Sequence, residues 1–335
     1  MPGSTDDYIG MKDLSKKFVK HQEIDETAAG QRLDNFLMKT LKGVPQSHIY
    51  RIVRSGEVRV NGGRAQPSDH LAAGDIVRIP PLRLPTRVEE ALPSVVPRGI
   101  GALPVLFEDE WLLAVDKPAG LAVHGGSGVS FGVIEQLRAQ RPELRFLELA
   151  HRLDRETSGV LLLAKKRSAL TGLHAAWRDG MVDKRYDVLV RGRWPDAKRK
   201  VQTPLTRFLT AEGERRVRAD SGGQAAITVF YRQRVWSELD PPLSLLEAEL
   251  HTGRTHQIRV HLTHLGYPLA GDDKYGDFSW NRALAKAGLR RMFLHARKLG
   301  FSHPASGEWL EIEAPLSEAL QAFLDRLPTV RDRGE

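Results

Sequence analysis

The sequence predicts an α+β fold: a larger domain built on a mainly antiparallel, mixed central sheet flanked by helices, preceded by a small module in which two helices are followed by hairpin-like strands. Three observations carry this expectation. With 335 residues, 41% of them hydrophobic, the chain exceeds the ~250–300 residues at which a single core stops growing, so it should divide into one sizeable core and an accessory unit. A proline-rich stretch over 81–103 marks the division. Beyond it, strand-like segments outnumber helical ones and fall in hairpin-like runs, the pattern of an antiparallel rather than a doubly wound parallel sheet.

Residues 1–22 are polar, lack a sustained period and read as a flexible tail. Leu33, Phe36, Leu37 and Leu41 recur at helical spacing, and Ile49, Ile52 and Val53 repeat the pattern after a break at 43–47, with Ser47 as the expected N-cap. Residues 57–61 read as a strand running into an Asn61–Gly62 turn, and 75–80 as another. After the linker, 105–107 and 111–115 read as strands, 129–139 as a helix, 159–164 as a buried strand and 168–177 as a helix. Strands are expected again at 186–190, 226–231, 245–250 and 309–312, with helices near 257–265 and 316–327.

Composition narrows the chemistry. The chain has no cysteine, which excludes disulfides, thiolate nucleophiles and cysteine-based zinc or iron–sulfur sites. Its net charge of +8 fits a polyanionic partner. The charge is uneven: 165–218 carries fifteen Lys or Arg against six Asp or Glu, more excess than the whole chain. The 31–80 module carries eight against four. There Arg51, Arg54 and Arg59 either line one phosphate-binding face or form an ordinary solvated one. No apolar stretch follows a basic start and no run reaches the ~18–20 residues of a spanning helix, so a soluble, cytoplasmic protein is expected.

Several familiar sites are absent. Gly125–Gly126–Ser127–Gly128 lacks the Gly-Lys ending of a P-loop, has Phe131 at the third glycine of a dinucleotide fingerprint, and misses the order of a nucleophile elbow. His251, His256, His261 and His264 crowd together without carboxylates at metalloprotease spacing, so no metal site is expected. The informative segment is Ala150-His151-Arg152-Leu153-Asp154-Arg155-Glu156-Thr157-Ser158-Gly159, a charged loop against the apolar run Val160–Leu163. From local sequence, Asp154 is either an active-site carboxylate between two arginines or a turn aspartate tied to Thr157 and Ser158.

His151-Arg152-Leu153-Asp154 followed by Thr157-Ser158-Gly159 resembles the signature of the RluA-type pseudouridine synthases. The resemblance extends in order through Lys184-Arg185-Tyr186, Thr252-Gly253-Arg254-Thr255-His256-Gln257-Ile258-Arg259-Val260-His261, Leu294-His295-Ala296 and His303-Pro304. The 31–80 module resembles the S4 RNA-binding domain, and together the likeness covers roughly residues 25 to 325. One departure is Lys274, where arginine commonly precedes the Tyr275–Gly276 pair. The implied organisation is a tail over 1–22, an S4-like domain over 23–81, a linker over 82–103, a catalytic domain over 104–328 and a tail over 329–335.

The resemblance implies an isomerase that converts specific uridines of large-subunit ribosomal RNA, free or in a pre-ribosomal particle, to pseudouridine. It breaks an N1–C1′ bond and forms a C5–C1′ bond. Nothing is lost or gained, so no nucleotide or other cofactor is expected, and a monomer is. By motif position Asp154 is the catalytic aspartate, Tyr186 the active-site tyrosine and Arg259 the aspartate's partner. In a closed pocket, desolvation disfavours a carboxylate and an adjacent guanidinium restores it, which gives such a partner a purpose. Without the motif Tyr186 reads as a core residue; with it, the ring either stacks on uracil or its hydroxyl moves a proton. The target base must leave the RNA stack, and Arg152 is the candidate to fill the space, or else forms a structural ion pair. Arg32, Arg51, Arg54 and Arg59 of the S4-like module would hold phosphates. The competing readings are an RNA-holding assembly protein, in which Asp154 is dispensable, and a glycoside hydrolase, which needs a second carboxylate near that of Asp154, with Glu156 alone available.

Overall fold

The computed structural model describes residues 19–41, 44, 46–81, 102–125, 132–211 and 213–328. The expected tails up to 18 and from 329, most of the linker, and the 126–131 part of the glycine-rich loop lie outside the described residues. The chain separates into two compact units, Met1–Val96 and Pro97–Glu335.

The first unit is built from β1 (Lys20–Glu23), α1 (Leu33–Thr40), α2 (Gln46–Arg54), β2 (Arg59–Val60), β3 (Gly63–Arg64) and β4 (Ile76–Ile79). Its strands run in the order β1-β4-β2-β3, all antiparallel. The helical repeat read from sequence is the buried stripe: Leu33, Phe36, Leu37, Ile49, Ile52 and Val53 close over Val58, Val77 and Ile79. Asn61 (φ 50) and Gly62 (φ 78) make the turn between β2 and β3, both in the left-handed region that a two-residue hairpin demands. Two expectations are corrected. Lys20–Gln22 belong to a strand rather than the tail, because edge pairing to Val77–Ile79 holds them through the backbone without apolar periodicity. Helix α2 begins at Gln46, so Ser47 lies in its first turn and is not its N-cap.

The second unit opens with β5 (Val105–Glu108), β6 (Leu112–Lys117), α3 (Val133–Gln140), β7 (Glu148–Leu149), β8 (Ser158–Ala164), α4 (Arg167–Arg178) and β9 (Asp183–Arg191). It continues with β10 (Lys198–Val201), β11 (Leu205–Leu209), β12 (Arg215–Ala219), β13 (Thr228–Trp236), β14 (Leu243–Leu250), α5 (Gln257–His264), α6 (Phe278–Lys286), β15 (Leu294–Ser302), β16 (Trp309–Glu313) and α7 (Glu318–Asp325). Ten strands form one sheet along the path β10-β13-β14-β9-β15-β8-β6-β5, with β16 on β15 and β7 on β8. Every pair is antiparallel except β8 with β15, so the mixed, mainly antiparallel α+β expectation holds. The two strands β11 and β12 form a separate hairpin.

Helices cover both faces, which explains why β8 is buried throughout and apolar from Gly159 onward. Val160 and Leu162 point to α4 (Ala169, Leu170, Leu173), while Leu161 and Leu163 point to α3 (Val133, Ile134, Leu137). On β9, Val188 and Val190 meet Ile258 and Leu262 of α5, whereas Leu189 faces Trp280 and Leu284 of α6 with Leu320 and Phe323 of α7. Tyr186 packs against both the α3-side and the α5-side cores, so it stands where they meet. The parallel β8–β15 contact needs glycine. At Gly159 (φ +110) a Cβ would lie 2.2 Å from the Ala296 carbonyl oxygen, and the left-handed φ is itself costly for any other residue.

Candidate active site

The loop between β7 and β8 carries Asp154 and is pinned from both sides. The Leu162 N–H donates to His151 Nε2 (3.0 Å) and the Ala150 N–H donates to the Leu162 carbonyl (3.0 Å). The His151 ring stacks on Trp177 at 5.3 Å, and burial pushes its pKa down to about 4, so Nε2 remains free to accept. On the other side the fully buried Lys117 donates to the carbonyls of Pro118 (2.8 Å), Leu121 (2.9 Å) and Arg155 (3.0 Å). Burial lowers its pKa to about 7, yet three carbonyls match the three N–H bonds of an ammonium. The tie within the turn is from the backbone: the Thr157 N–H donates to the Asp154 carbonyl (3.1 Å). The Asp154 carboxylate is not the group that closes it.

The facing wall is the turn from Thr252 into α5. Thr252 Oγ1 accepts from the Ile227 N–H (2.9 Å) and donates to Gln257 Oε1 (2.7 Å), which also accepts from the Arg254 N–H (3.0 Å). Gln257 Nε2 donates to the Ile227 carbonyl and to Thr228 Oγ1, both at 2.9 Å. His261 Nε2 lies 2.9 Å from the Thr203 carbonyl and can only donate there, so its Nδ1 accepts from the Thr228 hydroxyl (3.0 Å). Burial lowers the His261 pKa, in keeping with a neutral ring. Each buried polar group of this turn has a partner, and the chain enters α5 with His256 at φ 54.

Between the two walls lies a cavity of about 160 Å³ lined by Arg152, Asp154, Tyr186, Arg207, His256 and Arg259, among others. The Asp154 side chain is 22% exposed, and its Oδ2 lies 3.6 Å from Arg259 Nη1 and 3.6 Å from His256 Nε2. Arg259 is held mainly from behind: Nε and Nη2 donate to the two Asp272 oxygens, each at 2.7 Å. Burial works against the Arg259 charge, but the Asp272 pair overcomes it and raises the pKa; the same bonds lower that of Asp272 against its burial. The Tyr186 hydroxyl is pushed up by burial and then by the Asp154 charge, so it stays a phenol. The arrangement joins a recessed carboxylate, a fixed guanidinium, a protonated phenol and an imidazole, and suits nucleophilic or base chemistry on a flat ring.

Of the residues picked out from sequence, Arg152, Asp154, Tyr186 and Arg259 meet at this cavity. Arg152 is exposed and, among the described residues, makes no ion pair, which leaves its guanidinium free at the rim. Arg32, Arg51, Arg54 and Arg59 belong to the first unit. Arg51 and Arg54 are exposed on α2, Arg59 donates to the Gly56 and Gly62 carbonyls, and Arg32 grips Asp34 through two hydrogen bonds (3.1 and 2.6 Å). Sequence reasoning gave no role to Asp272, Tyr275, His256 or Arg207. The first two follow α5 in a polar turn with no apolar pattern, and Arg207 reaches the cavity only because its hairpin folds beside it. Among the described residues, no group of three His, Asp or Glu is placed to hold a metal ion.

Residues 111–264 match the family model described as RNA pseudouridylate synthase, and residues 31–77 match that of the S4 domain. The chain is 51% identical over 316 residues to ribosomal large subunit pseudouridine synthase C of Escherichia coli K12, covering 93% of this chain and 98% of that protein. It is 52% identical over 303 residues to the protein of that name from Yersinia pestis, covering 90% and 93%. Among solved structures it is similar to human RNA pseudouridylate synthase domain containing 1, with a TM-score of 0.54, 26% identity and coverage of 66% of this chain and 87% of that one. The corresponding figures for human RNA pseudouridylate synthase domain containing 4 are 0.52, 25%, 67% and 92%.

Proposed function

The chain belongs to the RNA pseudouridylate synthase family, so it is an isomerase of RNA uridine, and we propose that it acts on specific uridines of large-subunit ribosomal RNA with Asp154 as the catalytic carboxylate. The observation that carries this reading is the recess in which the Asp154 carboxylate faces Arg259 and His256 with Tyr186 beside it. A cavity of about 160 Å³ is of the size of a single flat ring rather than of a stacked helix, which supports extrusion of the base before reaction. Extrusion costs a few kcal/mol, and Arg152 at the rim is the side chain we assign to the vacated position in the stack.

In this reading the carboxylate is the nucleophile or base that allows the N1–C1′ bond to break, the uracil turns within the recess, C5 joins C1′ and sheds its proton, and N1 takes one up. Arg259, clamped by Asp272, holds a positive charge beside the acid without having to move. Tyr186, as a partly buried phenol, offers its face for stacking and its O–H as a donor; its raised pKa argues against service as a resting base. Among the described residues the cavity lining includes one carboxylate, that of Asp154, and Glu156 accepts from Arg155 (2.9 Å) outside it, which disfavours the two-carboxylate hydrolase. We further assign phosphate contacts to the first unit, and propose action as a cytoplasmic monomer without a cofactor.

The test is the Asp154→Ala protein supplied to cells that lack the wild type, with pseudouridine in large-subunit ribosomal RNA mapped by carbodiimide and primer extension. Loss of modification at the enzyme's sites is expected while RNA binding persists. Modification equal to wild type overturns the proposal and leaves a protein that only holds RNA.

A further inference from the structure

His256 stands at the junction of the two walls, and its surroundings specify where its proton sits. It occupies the N-cap position of α5 in the left-handed region, φ 54, yet its side chain makes no capping hydrogen bond. A residue with a β-carbon is seldom found in that conformation, and here it aims the ring across the cavity instead of along the helix. Nδ1 lies 2.8 Å from the Tyr275 hydroxyl, and the two rings meet edge to face at 5.4 Å. The Tyr275 oxygen already accepts the Val217 N–H of β12 at 2.9 Å. Its own proton therefore goes to the neighbouring acceptor, His256 Nδ1, and the neutral imidazole carries its hydrogen on Nε2. Nε2 is the atom 3.6 Å from Asp154 Oδ2.

We propose that His256 is a positioning residue: Tyr275 locks its imidazole in the Nε2–H tautomer, and that N–H steers the Asp154 carboxylate when substrate draws them together. This deepens the reading of Asp154 given above and rests on it. A separation of 3.6 Å is beyond a hydrogen bond, and catalytic hydrogen bonds often tighten only with substrate bound. Asp154 would then be fixed by two donors, a guanidinium that supplies charge and an imidazole that supplies direction. The charged groups facing His256 are Asp154 and Asp272 on one side of the balance and Arg259 and Lys274 on the other, and burial keeps the ring neutral among them. With Nε2 protonated in the neutral ring, His256 is a donor to the site and cannot take a proton there as its base.

Two measurements test this. Nitrogen-15 NMR of the full chain labelled at histidine is expected to show a protonated Nε2 and an unprotonated, accepting Nδ1 for His256, and the Tyr275→Phe protein is expected to lose that preference. In steady-state kinetics with a ribosomal RNA fragment, His256→Asn keeps a residue tolerant of the left-handed backbone but falls short of Asp154. It is expected to lower kcat roughly 10–100-fold, the worth of one hydrogen bond to a charged group, with little change in KM. His256→Gln, which restores a donor near the Nε2 position, is expected to recover most of the loss. A proton on Nδ1, or a Gln variant as slow as the Asn variant while Asp154→Ala abolishes the reaction, would overturn the inference and leave the role of Asp154 standing. If Asp154→Ala is fully active, the underlying reading fails instead.

Discussion

Arg259 donates two 2.7 Å hydrogen bonds to Asp272 where the side chains are 3% and 0% exposed, so neither charge has water to fall back on. Removing one partner strands the other, at a cost of ~3–5 kcal/mol for a buried pair. We expect Asp272→Ala to lose that much in urea unfolding, and the Arg259→Met, Asp272→Leu double variant to lose distinctly less; equal losses would show that the pair is not the origin of the effect. Gly159→Ala should cost at least ~2 kcal/mol, since its Cβ must displace the Ala296 carbonyl that lies 2.2 Å away and break the β8–β15 contact. His151 ties residue protonation to pH. An unfolded imidazole titrates near ~6.5 whereas burial holds the folded one at about 4, so the unfolded chain binds the extra proton in that interval. Its contribution is complete above the unfolded value and is lost as pH falls toward 4. His151→Gln should therefore be less stable than wild type at pH 8, and its thermal midpoint should fall less between pH 7 and pH 5.

The elements divide the labour of the site. Strand β8 and its leading loop hold the carboxylate, β9 brings Tyr186, and α5 with its entry turn brings His256 and Arg259. Lys117, at the end of β6, ties the first of these together through the Arg155 carbonyl, one residue from Asp154. Lys117→Met removes a donor shared by three carbonyls and leaves an apolar tip among them, so we expect a thermal midpoint lowered by several degrees and a larger fractional loss of kcat, per unit of stability lost, than Leu137→Ala in α3. The hairpin β11–β12 presents Arg207, Arg215 and Arg218 as exposed cations, and Arg207 reaches the cavity wall through Thr255 Oγ1 at 2.8 Å. If these three meet phosphates, the triple alanine variant should bind RNA with a slope of log affinity against log salt shallower by about 2, with unchanged folding; an unaltered slope would remove the hairpin from the RNA surface.

At the scale of the whole molecule, two cores fold from one chain, with the apolar set of 24–79 closed within the first unit and the larger sheet within the second. Deletion of residues 1–96 should therefore leave the second unit cooperatively folded while weakening RNA binding and flattening its salt dependence. Periodicity was enough for the elements whose own side chains declare a buried face: α1, α2, α4, β8 and the inward residues of β9. It failed for β15, where Leu294–Ser302 mixes His, Arg and Lys with apolar residues at the centre of the sheet. Those charges are answered across strands, Arg297 by Asp187 and Glu247 and Lys298 by Asp183, partners 50 to 115 positions distant in sequence that no local pattern could supply. The order of motifs along the chain was sufficient for the family and for the positions of Asp154, Tyr186 and Arg259, because such identities are local and written in residue types. The tertiary structure alone decided that Arg259 answers first to Asp272, that Tyr275 and Val217 orient His256, and that an arginine hairpin stands beside the recess. Hydrogen-bond geometry and burial belong to atoms brought together from distant segments, and that juxtaposition exists only in the folded chain.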